Sequence, residues 1–195
     1  RIVNDSAADR VITYGKSGDL SWHGEYSSTG MRVEFSFEGK SIGTDLLVHS
    51  QFEVANIAAA LAAFLSMGHS IDKLINLLPK LASVPGRMQK IPGPKGCPVV
   101  ILDYAHTPDA LERVLRACRH HCEGRLICLI GCGGGRDAGK RPIMGRVAIE
   151  NSDVCYFTSD NPRDEDPLEI LTNMTSSIST LEKRRVNLII ERSEA

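Results

Sequence analysis

Nowhere in its 195 residues does the chain hold a Gly-x-x-x-x-Gly-Lys-Ser/Thr stretch, so it lacks the loop that cradles nucleotide phosphates by itself. Charge of one sign is missing too: 23 Lys and Arg face 24 Asp and Glu, giving a net charge of −1 and a pI of about 6.7. Without a basic field, neither nucleic acid nor an anionic lipid surface is favoured as a partner. No apolar run approaches the roughly 20 residues that span a bilayer. The opening residues, Arg-Ile-Val-Asn-Asp-Ser, have neither the n-region nor the h-region of a secretory signal. The sequence therefore reads as soluble and cytoplasmic, with no membrane insertion. Its six cysteines form no C-x-x-C pair, and most sit in apolar segments, as reduced buried thiols do. Cys118-Arg-His-His-Cys122 is the one cluster imaginable as a metal site. No second ligand pair follows it at zinc spacing, so no metal ligand is assigned.

What is present is concentrated between residues 125 and 167. An apolar run at 125–130 meets a glycine loop, Gly131-Cys-Gly-Gly-Gly135, followed by Arg136, Asp137, Lys140 and Arg141 before a helix expected over 142–151. A second apolar run at 153–158 ends in Ser159-Asp160-Asn161-Pro162-Arg163. In an open parallel sheet both loops emerge at the carboxyl ends of neighbouring strands, where such folds bind ligands. Glycine lets backbone N–H groups approach an anion, and arginine forks match carboxylate or phosphate. The stretch reads as a site for an anionic ligand.

At this length the chain suffices for one large or two small domains. Residues 10–49 alternate as strands do, over 10–14, 31–37 and 41–48, with Met31, Val33, Phe35 and Phe37 on one face and a turn at 38–40. Residues 52–67 are alanine-rich and helical, with Gly68 as the stop, and Ser70 caps a second helix. Pro85 and Gly86 break the pattern and place a domain boundary between 84 and 85. Beyond it, strands over 98–102, 125–130, 153–158 and 186–190 alternate with helices over 109–122, 142–151 and 167–180. That order predicts an α/β, doubly wound, mostly parallel sheet, with Val99 and Val100 buried in it. Thr107, Pro108 and Asp109 read as cap, first helical position and dipole partner, which leaves Asp103 and His106 without a local explanation. Asp164, Glu165 and Asp166 read as cap and dipole partners ahead of Pro167, and Lys140 and Arg141 as solvated charges.

Gly-Cys-Gly-Gly-Gly-Arg-Asp-Ala-Gly-Lys-Arg-Pro at 131–142 and Asp-Asn-Pro-Arg at 160–163 resemble the C-terminal domain of the Mur ligases, and within them the MurE type. Pro-Gly-Arg-Met at 85–88 and Asp-Tyr-Ala-His-Thr-Pro at 103–108 extend the resemblance. It implies an ATP-dependent amide ligase that adds meso-diaminopimelate to UDP-MurNAc-L-Ala-D-Glu. It implies a Rossmann-like amino-acid-binding domain over 85–195, preceded over 1–84 by the tail of a central ATP-binding domain.

The resemblance also implies site residues. Arg136, Asp160, Asn161, Pro162 and Arg163 would bind diaminopimelate, whose second carboxylate suits a bidentate arginine where lysine has nothing to offer. Asn56, Arg87, Asp103, His106 and Lys140 would face ATP: Asn56 the adenine, Arg87 a phosphate across a hinge, Asp103 the ribose. Asn56 belongs to an Asn-x-x-Asn-x-x-Ala-Ala pattern whose first position here is Glu53. Read alone, Asn56 is equally one polar residue on a buried helix. No catalytic residue is assigned, since this domain would position rather than react.

The chain opens on Arg1 and stops at Ala195 as a strand gives way to an expected helix, so it reads as a piece of a longer protein, silent by itself. A UDP-binding domain, most of the ATPase domain with its magnesium ligands, and a closing Gly-Lys-Gly-His-Glu segment would lie outside it. Rival readings are another Mur ligase or a folylpolyglutamate-type synthetase, and a non-catalytic MurE-like interaction protein.

Overall fold

The computed structural model describes residues 10–27, 30–82 and 84–195, so the expectation for the opening residues lies outside the described ones. The chain divides into two compact units, residues 1–103 and 104–195.

In the first unit, β1 (Leu20–Tyr26), β2 (Met31–Phe37) and β3 (Lys40–Leu46) form an antiparallel meander. The hairpin between β2 and β3 turns on Glu38 and Gly39, both at positive φ (49° and 77°), the backbone twist that a two-residue hairpin favours. Met31, Val33, Phe35 and Phe37 are all buried, as their period of two requires. They share one core with Val54, Ala58, Leu61 and Leu65 of α1 (Gln51–Ser66). The Ser50 side chain caps α1 by accepting from Glu53 N–H. The Glu53 carboxylate in turn accepts from the His49 amide and the Ser50 hydroxyl, both at 2.9 Å. After α1, Gly68 takes φ +88° and His69 N–H reaches back to Phe64 C=O, closing the helix end. A short α2 (Ile71–Ile75) follows, and Ser70 precedes it without capping it through its side chain.

Two strand expectations need correcting here. Residues 10–14 hold only an isolated bridge from Tyr14 to Leu20, and the Asp19 carboxylate closes that loop on Thr13. The strand is β1, which 10–49 pattern reading passed over because Gly24, His23 and Glu25 dilute its alternation. The 98–102 run also lies elsewhere than expected. β4 (Gln89–Ile91) pairs antiparallel with β5 (Val100–Leu102) in a separate two-stranded ribbon, leaving Val99, Val100 and Leu102 exposed. An apolar β-branched run marks a strand, but its partner is a non-local choice.

The second unit has the α/β order expected: α3 (Pro108–His120), β6 (Ile127–Ile130), α4 (Lys140–Asn151), β7 (Val154–Thr158), α5 (Pro167–Thr175) and β8 (Val186–Ile189). β6, β7 and β8 pair in parallel in that order, with Cys128 beside Cys155 and Ile130 beside Phe157. Those four side chains join Leu111 and Leu115 of α3, Met144, Ala148 and Ile149 of α4, and Ile170, Leu171 and Met174 of α5 in one core. Gly145 lets α4 lie against α5, because a Cβ there would stand 1.9 Å from Met174 C=O. α3 starts as its sequence dictates, with Thr107 accepting from Ala110 N–H and Pro108 in the first turn. α5 stops at Thr175, five residues before the expected end at 180, and a turn at Ser176 replaces its last stretch.

Candidate functional site

The carboxyl ends of β6 and β7 lie side by side because the strands are parallel neighbours, so the loops that leave them meet. Glycine makes the contact possible. A Cβ on Gly131 would stand 2.3 Å from Thr158 C=O, and one on Gly134 would stand 1.8 Å from Pro162 C=O. The bare backbones hydrogen-bond instead: Gly134 N–H donates to Asn161 C=O at 2.8 Å, and Arg163 Nη1 donates to Gly134 C=O. Arg163 holds φ +51°, a left-handed conformation costly for a residue with a Cβ and of the kind that clusters at binding sites.

Glu165 ties the loops a second time. Its carboxylate accepts from Gly135 N–H at 2.6 Å and from Arg141 Nη2 at 2.8 Å, while its own N–H donates to Pro162 C=O at 3.0 Å. Arg141 is 1% exposed, and its Nη2 also reaches Gly133 C=O at 3.4 Å. Arg141 Nε is buried without a hydrogen-bond partner. The Gly135 amide first, and Arg141 second, hold the Glu165 carboxyl below its ordinary pKa. Beneath the loop, burial pushes the Cys132 thiol up, so it stands there as a neutral packing group.

These contacts correct two sequence expectations. Arg141 is not a solvated charge but the most deeply placed cation of the loop pair. Glu165 is not a helix cap: Asp166 fills that role by accepting from Leu168 N–H. A carboxylate just before Pro167 looks local in sequence, while its partner lies 24 residues away.

The remaining residues expected at the site fall into two groups. In the second unit Arg136, Asp160, Asn161 and Arg163 are exposed along the joined loops, with Pro162 half-buried between them. Lys140 opens α4 and donates to His106 C=O at 2.8 Å, which joins the loop before α3 to the glycine loop's end. His106 packs edge-on against Tyr104 at 5.2 Å. In the first unit Asp103 accepts from Met88 N–H at 2.8 Å, so it is fastened to the turn that carries Arg87, itself exposed. Asn56 is exposed on α1, not part of a buried helix face. Glu53 is explained by its cap.

Acid should loosen the second unit. Glu165 is depressed as above, and Asp153 is depressed by the Leu126 amide and Arg119. A carboxyl depressed in the folded state stabilises above its unfolded pKa and loses that contribution as pH falls through its folded one. The urea midpoint of the full-length protein should therefore hold steady from neutral pH to about pH 5 and fall below about pH 4. Asp153→Asn should flatten part of that fall; an unchanged acid limb would refute the assignment.

A family model described as Mur ligase, glutamate ligase domain, matches residues 86–195, more than half of the chain. The chain belongs to the Mur ligase family. It is 47% identical over 181 residues to the UDP-N-acetylmuramoyl-L-alanyl-D-glutamate–2,6-diaminopimelate ligase of Synechococcus elongatus, covering 91% of this chain and 36% of that one. It is 46% identical over 181 residues to the enzyme of that name from Pseudomonas syringae, covering 90% of this chain and 37% of that one. The chain thus spans about a third of the length of these curated relatives. A solved ligase structure of the same name matches at TM-score 0.60 and 34% identity, over 98% of this chain and 40% of that one. Two more distant structures share the fold alone. MurF from Acinetobacter baumannii has TM-score 0.74 at 18% identity, over 95% of this chain and 39% of that one. Mycobacterium tuberculosis folylpolyglutamate synthase, complexed with ADP and AMPPCP, has TM-score 0.71 at 17% identity, over 88% of this chain and 38% of that one. The α/β class expected from the alternation of elements is that of the family.

Proposed function

We propose that the full-length protein is a cytoplasmic, ATP-dependent ligase that joins meso-diaminopimelate to UDP-MurNAc-L-Ala-D-Glu in peptidoglycan precursor synthesis. Residues 1–84 belong to its ATP-binding domain and 85–195 to its amino-acid-binding domain. The observation that carries the reading is the Asp160–Arg163 segment, docked on the glycine loop so that Arg163 and Arg136 stand exposed at neighbouring strand ends. Identity of 46–47% to two diaminopimelate ligases over about nine-tenths of the chain supports it.

The chemistry is acyl transfer. The D-glutamyl carboxylate oxygen takes the γ-phosphoryl group of ATP and ADP leaves. The substrate amine then attacks the carbonyl carbon of the acyl phosphate, inorganic phosphate leaves, and the amine gives up a proton. The chain's residues position the reactants. Arg163 spends one of its five donors on Gly134 C=O, and a guanidinium so anchored presents its other edge to the second carboxylate of diaminopimelate with little orientational freedom left to lose. Arg136 accompanies it, and Asp160, Asn161 and Pro162 are the remaining residues assigned to the acceptor. Asp103, braced by Met88 N–H, is assigned to the ribose hydroxyls, and Asn56, Arg87, His106 and Lys140 are the remaining groups assigned to ATP. Magnesium would neutralise the transferring phosphate. Among the described residues no three His, Cys, Asp or Glu side chains converge as metal ligands, so no step is assigned to the metal on this chain.

The experiment is ATP-dependent ligation by the full-length protein with meso-diaminopimelate or L-lysine as acceptor, alongside Arg163→Ala. Removing a bidentate charge pair should cut kcat/KM for diaminopimelate about 100-fold and leave the weak lysine rate unchanged. Turnover of lysine alone would overturn the role of Arg163. Turnover of neither would favour a non-catalytic relative that serves as an interaction partner.

A further inference from the structure

Three observations converge on a residue outside the set assigned to either substrate. Glu165 accepts the Gly135 amide at 2.6 Å, immediately before Arg136. It also pairs with Arg141, which is buried in the first turn of α4 and touches Gly133 C=O. Its own amide closes the turn on Pro162, immediately before Arg163. The two exposed arginines are therefore attached to two loops that share one carboxylate.

The charge balance of this cluster is specific. Arg141 and Glu165 neutralise each other within the loop pair, and beside the exposed Asp137, Asp160 and Asp164 stand the two exposed arginines, Arg136 and Arg163. Both lie one residue from a backbone group that Glu165 itself binds. Arg163 sits at φ +51°, a conformation that a residue with a Cβ leaves readily once the contacts that impose it are lost. Arg163 also depends on the glycine loop for its bond to Gly134 C=O, so release of one loop releases the other.

We propose that Glu165 is a positioning residue for the amino-acid acceptor: bound at once to the Gly135 amide and to buried Arg141, it locks the glycine loop to the 160–163 turn and so fixes the separation and direction of Arg136 and Arg163. The proposal rests on the reading of these arginines as the acceptor site. Its energetic logic is preorganisation. A dicarboxylic acceptor that meets two arginines already aimed pays no ordering cost, whereas one that meets two mobile loops must fix them on binding. The side chain of Glu165 touches no substrate in this scheme.

The test uses the full-length protein with Glu165→Ala and Glu165→Gln, and it has two arms. Hydrogen exchange reads the lock directly: the Gly134 and Gly135 amides should exchange at least about tenfold faster in Glu165→Ala, with α5 and β7 amides unchanged. Steady-state kinetics reads the consequence. KM for meso-diaminopimelate should rise about tenfold or more, KM for ATP should stay within about twofold, and the preference over L-lysine should shrink. Glu165→Gln, which keeps an acceptor for one of the two donors, should fall between wild type and Glu165→Ala in both arms. Unchanged exchange at Gly134 and Gly135 would overturn the lock. Faster exchange with an unchanged KM for the acceptor would overturn its role in positioning. A uniform fall in kcat with global loss of protection would also overturn it, as a purely structural role predicts. If the wild-type protein ligates no acceptor, the functional reading fails, and the exchange arm still decides whether Glu165 locks the loops.

Discussion

Gly134→Ala should destabilise the second unit by about 2–4 kcal/mol and abolish saturable binding of the acceptor amino acid. The added methyl carbon would stand 1.8 Å from Pro162 C=O, far inside any real contact, and the obstacle is backbone rather than the end of a flexible side chain. Relief requires the two loops to part. That breaks Gly134 N–H to Asn161 C=O and Arg163 to Gly134 C=O together, and it strips Arg163 of the contact that holds it at φ +51°. Two neighbouring substitutions isolate the cause. A Cβ on Gly133 would press on Arg163 Nη1 at 3.2 Å, the end of a flexible side chain, and meet Asn161 C=O at an ordinary 3.6 Å, so Gly133→Ala should cost under about 1 kcal/mol. A Cβ on Gly145 would meet Met174 C=O at 1.9 Å, so Gly145→Ala should match Gly134→Ala in stability lost, with the damage between α4 and α5. Urea unfolding of the full-length protein and acceptor titration measure both quantities. Equal behaviour of Gly133→Ala and Gly134→Ala would refute the docking of these loops.

That contrast also marks how far the sequence could be read. The meeting of the two loops was legible because both follow apolar runs whose parallel order puts them at one edge of the sheet. Which glycine bears the close approach was not legible, since Gly131, Gly133, Gly134 and Gly135 are alike in sequence and differ only in what faces them. Helix starts were readable for the same reason that they are local: Thr107, Pro108 and Asp166 act within three residues of themselves. Strand partners were not. The 98–102 run has the apolar content of a buried parallel strand, yet its hydrogen bonds go to Gln89–Ile91, and a run of three pairs gives sequence periodicity nothing to register. Glu53 shows the same limit from the other side. Compared with a motif it looked like a lost asparagine, whereas in place it closes a reciprocal cap with Ser50. Long-range polar pairing is the largest omission. Arg141 and Glu165 each had an adequate local explanation, and nothing in either neighbourhood announces the other.

That pair is also where substitution of a single side chain should cost most. Arg141→Ala should lower the unfolding free energy by about 3–5 kcal/mol, the range for emptying the space of a large buried side chain. Three losses add. The Glu165 carboxylate loses its partner, though at 34% exposure water can recover part of that loss. Gly133 C=O loses a donor, and the buried space that the Arg141 side chain fills is left empty. Arg141→Met separates these contributions. It fills the space, and it removes the buried Nε that now lacks a partner, a group whose burial opposes folding by about 1–3 kcal/mol. Its cost should therefore be only about 1 kcal/mol, with the larger part of the Ala deficit restored. Acceptor binding should not recover with stability, because methionine cannot hold Glu165 against Gly135. Chemical unfolding and acceptor KM, measured on the same two variants, would show stability and binding dissociating at one position. If Arg141→Met recovered both, Arg141 would serve packing alone, and the charge on Glu165 would have no part in aiming the loops.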